Sequence, residues 1–325
     1  MATVPQTEQQ VVVRAQQRFT GIKALQVVAR DWRRNKYLYL MLLPVLIYYL
    51  IFQYGPMYGT VIAFQDFNPA KGIAGSQWVG LANFNEFFHS YFFWRLIRNT
   101  LVISALDLVL GFPAPIILAI LLNELRWNPF RRLVQTITYM PHFISVVVVV
   151  GMMIDFLARD GLINNIIAQN GGTDPVSYLQ KPELFPLIYV LSGIWQHIGW
   201  ASIVYLAAIT AIDPTLYEAT MVDGANRFQQ IRHVTLPGIM PTITILLILR
   251  LGSMMTVGFE KILLMYNPLT METADVISTY VYRKGILETD YGFSAAVGLF
   301  NSVINFALLI VANRFSRRLG DTSLW

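Results

Sequence analysis

Long apolar segments alternate with short polar segments along this chain of 325 residues. Four segments contain no Asp, Glu, Lys or Arg, and each exceeds the roughly 20 residues that a helix needs to cross a hydrocarbon core. They are continuously apolar and do not alternate as strands of a membrane β-barrel do. Each is therefore predicted to be a transmembrane helix: 37–65, 133–154, 184–212 and 291–313.

Two further segments are apolar but carry charges. Residues 99–123 contain only Asp107, and residues 242–266 are interrupted by Arg250, Glu260 and Lys261. Counting both segments predicts six spans. The composition agrees, because hydrophobic residues make up 55% and charged residues 13% of the chain, about half the charged share of a soluble protein. The pattern thus predicts an all-α integral membrane protein with six transmembrane helices.

The placement of Lys and Arg predicts the orientation. With the N-terminus inside, the cytoplasmic pieces hold fifteen of these residues and the outer pieces seven. Cytoplasmic loops are enriched in Lys and Arg, so both termini are expected in the cytoplasm. The net charge of +5 is thus interpreted as a topology signal. Nucleic acid is not expected as a partner, since no basic face carries interleaved aromatic residues for stacking.

The first 36 residues are predicted to form a cytoplasmic tail. The first apolar run is too long for the core of a cleavable signal peptide, so none is expected. Within residues 16–36, Phe19, Ile22, Leu25 and Val28 lie near one helical face, with Lys and Arg around them. This pattern favours an amphipathic helix on the anionic inner leaflet. A partly ordered tail is the alternative.

Motifs of catalytic chemistry are missing from the sequence. It contains no GxxxxGK[ST] phosphate loop, no HExxH and no GxSxG. The lack of cysteine excludes Cys-based zinc sites and thiol nucleophiles. We therefore expect no enzyme activity, no catalytic residues, no metal site and no cofactor bound by this chain. Energy for active transport would have to come from another chain or from an ion gradient.

A polar, helix-competent insert separates two of the predicted spans. Asp213 is a good N-cap and Pro214 suits the first helical position, so a short helix is predicted from Pro214 to Asp223. Gly224 can take the left-handed conformation that ends it. A second helical piece is expected at about 225–234, stopped by Leu236-Pro237. Apolar residues face almost every direction of the first helix: Leu216, Tyr217, Ala219, Met221 and Val222.

Two interpretations of the insert are open on this pattern. A surface helix with one dry face should carry its apolar residues in a single stripe, and a ten-residue helix is marginal alone. Docking into the groove of a soluble partner would explain both features. The alternative is an ordinary amphipathic connector that rests on the bilayer.

The spacing of Glu218-Ala219, Gly224 and Leu236-Pro237 resembles the EAA signature of ABC importer membrane subunits. Thr220 stands in place of the second Ala, and Val234 in place of the Ile. Further stretches are similar to the carbohydrate-importing branch of that family, and in part to its importers of complex or acidic saccharides such as polygalacturonan and alginate. They are Asp223-Gly224-Ala225, Thr235-Leu236-Pro237, the stretch WVGLANF from Trp78 to Phe84, and the start of the chain from Arg34-Asn35-Lys36-Tyr37 through Phe64-Gln65-Asp66-Phe67.

This resemblance implies a type I ABC importer permease of the bacterial inner membrane. Residues 37–314 would form the transmembrane domain with a coupling loop at 213–241, and residues 315–325 a cytoplasmic tail. Two homologous permease chains would pair on a cytoplasmic ATPase dimer that binds ATP and Mg²⁺, and an external solute-binding protein would deliver the saccharide. The coupling residues implied by the match are Tyr217, Glu218, Ala219, Asp223, Gly224, Ala225, Leu236 and Pro237.

The resemblance implies individual roles within that loop. Glu218 would meet a basic residue of the ATPase, and Gly224 would make the sharp bend. Leu236-Pro237 would fix the helix against the membrane core. Movement of the insert would then pass through packed helices to the gate.

A saccharide would be held by aromatic faces and by amide or charged hydrogen-bonding groups. Candidate residues of the substrate path are Trp195, Gln196, Trp200, Arg250, Asn301 and Asn305. Each has an alternative: the tryptophan side chains can serve packing, the amides can bond between helices, and Arg250 can belong to a structural ion pair.

Another class of protein also fits a six-span chain. An ion-coupled secondary carrier works without an ATPase and often has two related halves and an acidic pair buried in its spans. Asp107 and Asp155 are the acidic candidates in the first four predicted spans, and no related halves are seen. A membrane anchor or signalling scaffold is a third, weaker alternative.

Overall fold

The computed structural model describes residues 21–170 and 175–319, with side chains for residues 32, 35–170 and 175–317. The chain forms two compact units, Met1–Thr60 and Val61–Trp325. In the first unit a helix runs over Gly21–Tyr49 and is bent at Asn35, whose φ of −117° and ψ of 24° are not helical. The apolar side chains of the predicted surface helix, at positions 19, 22, 25 and 28, lie outside the described residues.

Within the described part of the chain, five helices are long and apolar enough to cross a bilayer, and a bent pair of helices makes a sixth crossing if it counts as one span. The predicted all-α class with up to six spans is thereby confirmed. In chain order they are span 1 (Asn35–Phe64), span 2 (Phe93–Glu124), span 3 (Asn128–Phe143 with Val146–Gln169), span 4 (Pro182–Thr210), span 5 (Arg227–Gly252) and span 6 (Tyr291–Arg317).

Span 3 is broken, and the prediction of one continuous helix over 133–154 was wrong. Its two parts meet at an angle of 101°. The first part ends in a 3₁₀ turn, Met140–Phe143, that contains Pro141. Ser145 then caps the second part by accepting a hydrogen bond from the Val148 N–H. Proline cannot continue the hydrogen-bond ladder, and the Ser145 cap offers the backbone an alternative to it.

Span 5 begins and ends earlier than the predicted segment 242–266. Its helix continues unbroken through Leu236-Pro237, which was expected to stop it, and ends at Gly252. Glu260 and Lys261 therefore lie outside the span, on a separate helix, Phe259–Met265. The apolar run had hidden this boundary because residues 253–259 remain hydrophobic although the backbone turns.

Three spans accommodate a proline through the same local backbone structure. In each, a five-residue π-helical turn ends two positions before a proline. A π-turn widens the helix, which relieves the clash that a proline ring makes with the preceding turn. At span 5, the Leu236 N–H bonds to the Ile231 carbonyl, five residues back. The pairs of turn and proline are Leu50–Tyr54 with Pro56, Asp107–Gly111 with Pro113, and Ile231–Thr235 with Pro237.

The other elements are a short hairpin and the helices that make up the spans and their connections. The strands β1 (Gln65–Asp66) and β2 (Gln77–Trp78) form an antiparallel hairpin in which Gln65 pairs with Trp78. Helices subdivide the spans and their connections: Gly55–Met57, Gly72–Gly75, Ala82–His89, Phe93–Leu106, Pro113–Glu124, Asn128–Tyr139, Val146–Leu157, Leu162–Gln169, Phe185–Thr210, Pro214–Val222, Arg227–Gln230, Leu236–Gly252, Phe259–Met265, Met271–Ala274, Ile277–Tyr282 and Tyr291–Leu319.

Buried side chains of the second unit fall into three apolar clusters. One joins spans 2 and 4 to the helix Phe259–Met265. A second packs Phe87 and Phe293 between the connection before span 2 and span 6. The third holds spans 2, 4 and 5 together around Tyr205 and Ile239. Spans 2, 4 and 5 thus pack together around the third cluster.

A buried carboxylate ties the connection after span 5 to the start of span 2. The Asp275 side chain is fully buried and pairs with Arg95 at 3.1 Å and with Arg283 at 2.8 Å. Its other oxygen accepts a hydrogen bond from the Thr279 hydroxyl at 2.9 Å. A buried charge is tolerated only when it is paired and hydrogen-bonded, and these contacts meet that requirement.

Candidate docking insert and membrane cavity

The docking helix, Pro214–Val222, lies between spans 4 and 5 and has the predicted cap. Asp213 Oδ1 accepts a hydrogen bond from the Thr215 N–H at 2.9 Å. This bond and one from the Thr215 side chain hold the pKa of Asp213 below its ordinary value. The carboxylate also lies where the helix dipole favours a negative charge. A short helix thus begins at a defined residue.

Gly224 ends this segment in the left-handed conformation that was predicted. Its φ is +77°, and an added Cβ would meet no atom within 4 Å. The backbone conformation, and not crowding, therefore requires glycine. The chain then turns into a second helix whose cap, Asn226, exchanges hydrogen bonds with Gln229.

The outer side of the insert is exposed and partly apolar. Val222 is 88% and Phe228 is 71% exposed, and Leu216 and Met221 are about half exposed. Glu218 is exposed too, and no ion pair joins it to another described residue. Contiguous exposed apolar groups beside an unpaired charge are typical of a protein contact surface.

Two side chains attach the insert to its own spans. The Tyr217 hydroxyl lies 2.9 Å from the Thr235 hydroxyl, in the π-turn of span 5. Arg227 lies 3.7 Å from Glu124, at the end of span 2. Gly238 also packs so closely on Ile212 that an added Cβ would come within 2.6 Å of it. The insert is thus connected to the membrane part by direct contacts as well as by the chain, and Tyr217 makes the contact of the docking helix itself.

A cavity of about 730 Å³ opens among spans 2, 4 and 5. Apolar residues form most of its wall, and polar groups from four elements reach it: Ser104, Asp107, Tyr189, His197, Tyr205, Arg250, Ser253, Thr256 and Lys261. Ligand sites are commonly apolar clefts with a few convergent polar groups. The cavity has that character.

An ion pair crosses the cavity wall. Arg250 of span 5 pairs with Asp107 of span 2, so the structural pair considered for Arg250 is present. Asp107 opens the π-turn of span 2, and its carboxylate lies against Gly111, where any Cβ would collide with it. Glycine at position 111 therefore leaves free the space that the Asp107 carboxylate occupies.

Lys261 brings a second cation to the cavity. The side chain is buried, with 8% exposed, and Nζ donates to the Tyr189 carbonyl at 3.0 Å. It also lies 4.9 Å from the centre of the Tyr189 ring. Burial lowers the pKa of Lys261 to about 8. No carboxylate of a described residue pairs with it, so the side chains of Asp107, Arg250 and Lys261 leave an excess of positive charge at the cavity.

The other five candidates for the substrate path lie outside the residues that line this cavity. Gln196 is 4% exposed and donates to the Ile144 carbonyl at the break of span 3. Asn305 accepts from the Met255 N–H and donates to Thr256 just after span 5. Gln196 thus binds the break in span 3 and Asn305 binds the segment after span 5. Their part in a substrate path stays a prediction.

The remaining three candidates differ in their surroundings. Trp200 is half exposed and stacks on His142 at 4.7 Å, and His142 Nδ1 lies 3.1 Å from His197 Nδ1. Trp195 is half exposed as well. The Asn301 side-chain oxygen is buried without a hydrogen-bond partner among the described residues. Sequence reasoning had not connected His197 or Tyr189 with the cavity, because neither belongs to a recognisable motif.

Together these features define a multi-pass helical membrane protein with a charged cavity among its spans and an exposed helical insert. Residues 111–321, more than half of the chain, match the family model of the binding-protein-dependent transport system inner membrane component. The chain belongs to this family. It is a permease of the inner membrane, and the family excludes the alternative of a carrier that works alone.

Named relatives cover nearly the whole chain. It is 46% identical over 293 residues to the polygalacturonan/rhamnogalacturonan transport system permease protein YteP of Bacillus subtilis (strain 168), covering 90% of this chain and 91% of the relative. It is 43% identical to the protein LplB of the same organism over 326 residues, which covers all of both chains.

Two solved structures also resemble this chain over most of its length. One is a bacterial alginate ABC transporter in complex with an alginate pentasaccharide-bound periplasmic protein. A chain of that complex matches with a TM-score of 0.84 and 46% identity, over 91% of this chain and 99% of the other. A second structure, of a bacterial ABC transporter involved in the import of the acidic polysaccharide alginate, matches with a TM-score of 0.83 and 47% identity.

Proposed function

We propose that this chain is the permease subunit of an ATP-driven importer of acidic oligosaccharides. The observation that carries the proposal is the pairing, in one chain, of an exposed, capped docking helix with a membrane cavity that has excess positive charge. The docking helix would be moved by a soluble partner, and the positively charged cavity suits an anionic solute.

Docking of an ATPase is supported by the exposed face of the insert. Val222 and Phe228 offer apolar area, and Glu218 offers a carboxylate to a basic residue of the partner. Gly224 sets the bend, and Leu236-Pro237 continues directly into span 5. ATP and Mg²⁺ would bind to the partner ATPase and not to this chain, which supplies no phosphate-binding loop.

An anionic saccharide is supported by charge. Lys261 lies at the cavity, where no carboxylate in the described part of the chain pairs with it, and a buried cation is costly until an anion compensates it. A uronate carboxylate would supply that anion, while Tyr189 offers an aromatic face. The two relatives named for polygalacturonan/rhamnogalacturonan and for alginate transport carry solutes of this chemistry.

The complete importer would contain further chains. We expect a second, homologous permease, a cytoplasmic ATPase dimer, and a solute-binding protein on the outer side, with both termini of this chain in the cytoplasm. The alginate transporter that resembles this chain was solved with a periplasmic protein bound to a pentasaccharide, which supports a delivery protein here.

The test is reconstitution of the complete transporter in proteoliposomes with its binding protein. ATPase activity and uptake are measured with uronate oligosaccharides and with neutral oligosaccharides of equal length. We expect stimulation by uronates. Stimulation by neither class, or by neutral sugars alone, would contradict the assignment. The variant Gly151→Ala controls for effects of expression and reconstitution on any variant, because its added Cβ meets no atom within 4 Å.

A further inference from the structure

The docking helix makes one side-chain hydrogen bond to span 5 among the described residues. It joins the Tyr217 hydroxyl to the Thr235 hydroxyl over 2.9 Å. Most of the docking helix is exposed, whereas Tyr217 is half-buried and turned toward its own protein. The docking surface and the membrane helix are therefore linked by two hydroxyl groups.

Thr235 occupies a special place in span 5. It is 1% exposed and is the last residue of the π-turn Ile231–Thr235. A π-turn holds one residue more than an α-helical turn, so its conversion shifts the helix register by one residue, or about 100° of rotation. A bond to Thr235 fixes the register at the point where the turn ends.

The helix that follows carries this register into the cavity. Leu236–Gly252 continues from the π-turn without a break, and Arg250 lies near its far end, in the cavity wall. A rotation at Thr235 would therefore move Arg250 relative to Asp107, which lies on span 2. Packed helices convert small shifts of this kind into changes between discrete states.

We propose that the Tyr217–Thr235 hydrogen bond is a positioning contact through which the docking helix sets the register of span 5 and so places Arg250 in the cavity. This inference rests on the proposed function, because the docking helix must be the element that an ATPase moves. Tyr217 then has an inner role in addition to any contact with the ATPase.

The inference is tested in the reconstituted complete transporter with Tyr217→Phe, Thr235→Val and the double variant. Each single variant removes one hydroxyl and keeps the shape. The measured quantity is the amount of uronate oligosaccharide imported per ATP hydrolysed. We expect each single variant to lower this ratio about three- to tenfold, the range of one hydrogen bond, and the double variant to lower it no further.

Three controls separate positioning from a general defect. Thr235→Ser keeps the hydroxyl and should restore the ratio. Tyr91→Phe removes a hydroxyl from a side chain that is 89% exposed on another element and should leave the ratio unchanged. Arg227→Gln removes the exposed pair with Glu124 at 3.7 Å and should have less effect, because such pairs contribute little.

Several results would overturn the inference. They are an unchanged ratio in both single variants, additive losses in the double variant, a loss in Thr235→Ser equal to that in Thr235→Val, or loss of the ATPase chains from purified Tyr217→Phe transporter. Failure of the proposed function looks different, because the wild-type transporter would then import no oligosaccharide. If the wild-type transporter imports uronate oligosaccharide on ATP hydrolysis and the variants keep the same import ratio, only the positioning contact is refuted.

Discussion

The docking insert and the membrane cavity are built in opposite ways. In the insert, the cap, the helix, the left-handed glycine and the next cap follow one another within fourteen residues, from Asp213 to Asn226. In the cavity, Asp107 of span 2 is far in sequence from Arg250 and Lys261, and the three line one cavity only because the spans pack together. Backbone hydrogen bonds define the first region, and tertiary packing defines the second.

This difference also shows in how each region meets its surroundings. The insert leaves apolar side chains such as Val222 and Phe228 exposed. The cavity pairs Arg250 with Asp107, whereas no carboxylate of a described residue pairs with Lys261. On the proposed function, a protein would cover the insert and an anion would compensate Lys261.

The largest effect is expected from breaking the insert at Gly224. In Gly224→Val, a β-branched residue must take a φ of +77°, which costs roughly 1–3 kcal/mol. We expect the docking helix to lose its bend and co-purification of the ATPase to fall by about tenfold or more. Gly151→Ala, in an open position of span 3, is the control. Undiminished ATPase binding by Gly224→Val would show that the insert is not the docking element.

A smaller effect is expected from breaking the ion pair of the cavity. Arg250→Gln leaves Asp107 without its cation, and we expect the free energy of unfolding to fall by about 1–2 kcal/mol, less than for a fully buried pair because Arg250 is half exposed. Thermal unfolding of the purified transporter measures this. The double variant Asp107→Asn/Arg250→Gln should recover most of the loss. Equal losses in the single and double variants would contradict a direct pair.

The smallest effect concerns pH. Because burial lowers the pKa of Lys261 to about 8, its charge is present below that pH and is lost above it. Uptake of uronate oligosaccharide should fall about threefold between pH 7 and pH 8.5 as the cation disappears. Lys261→Arg keeps its charge and should show a flat profile over this range. The same decline in both proteins would assign the pH dependence to another group.

Local patterns were enough for most of the fold and for the insert. Charge-free segments located the spans, because a helix in lipid must be apolar over a defined length. Asp213, Pro214 and Gly224 located the docking helix, because caps and left-handed glycines act within one turn. The resemblance to the EAA signature indicated the family that the comparisons with known proteins then showed.

The wrong predictions concern the break in span 3 and the bounds of span 5, where contacts and backbone geometry beyond the local pattern determine the structure. The break in span 3 needs Gln196 of span 4 to satisfy the Ile144 carbonyl, and hydropathy does not report such a contact. The expected stop at Leu236-Pro237 was wrong because the π-turn before it accommodates the proline. The end of span 5 at Gly252 was missed because the chain stays apolar beyond it.

The sequence by itself determined that this chain crosses a membrane several times and presents a capped helix between two spans. Both properties depend on the free energy of transferring side chains into lipid and on hydrogen bonds within a few residues, which are local. Only the tertiary structure decided that Asp107 pairs with Arg250, that Lys261 lines the same cavity with no carboxylate partner among the described residues, and that Tyr217 bonds to Thr235. Those contacts depend on helix rotation and on the bends in spans 3 and 5, which are set by packing between residues far apart in the chain.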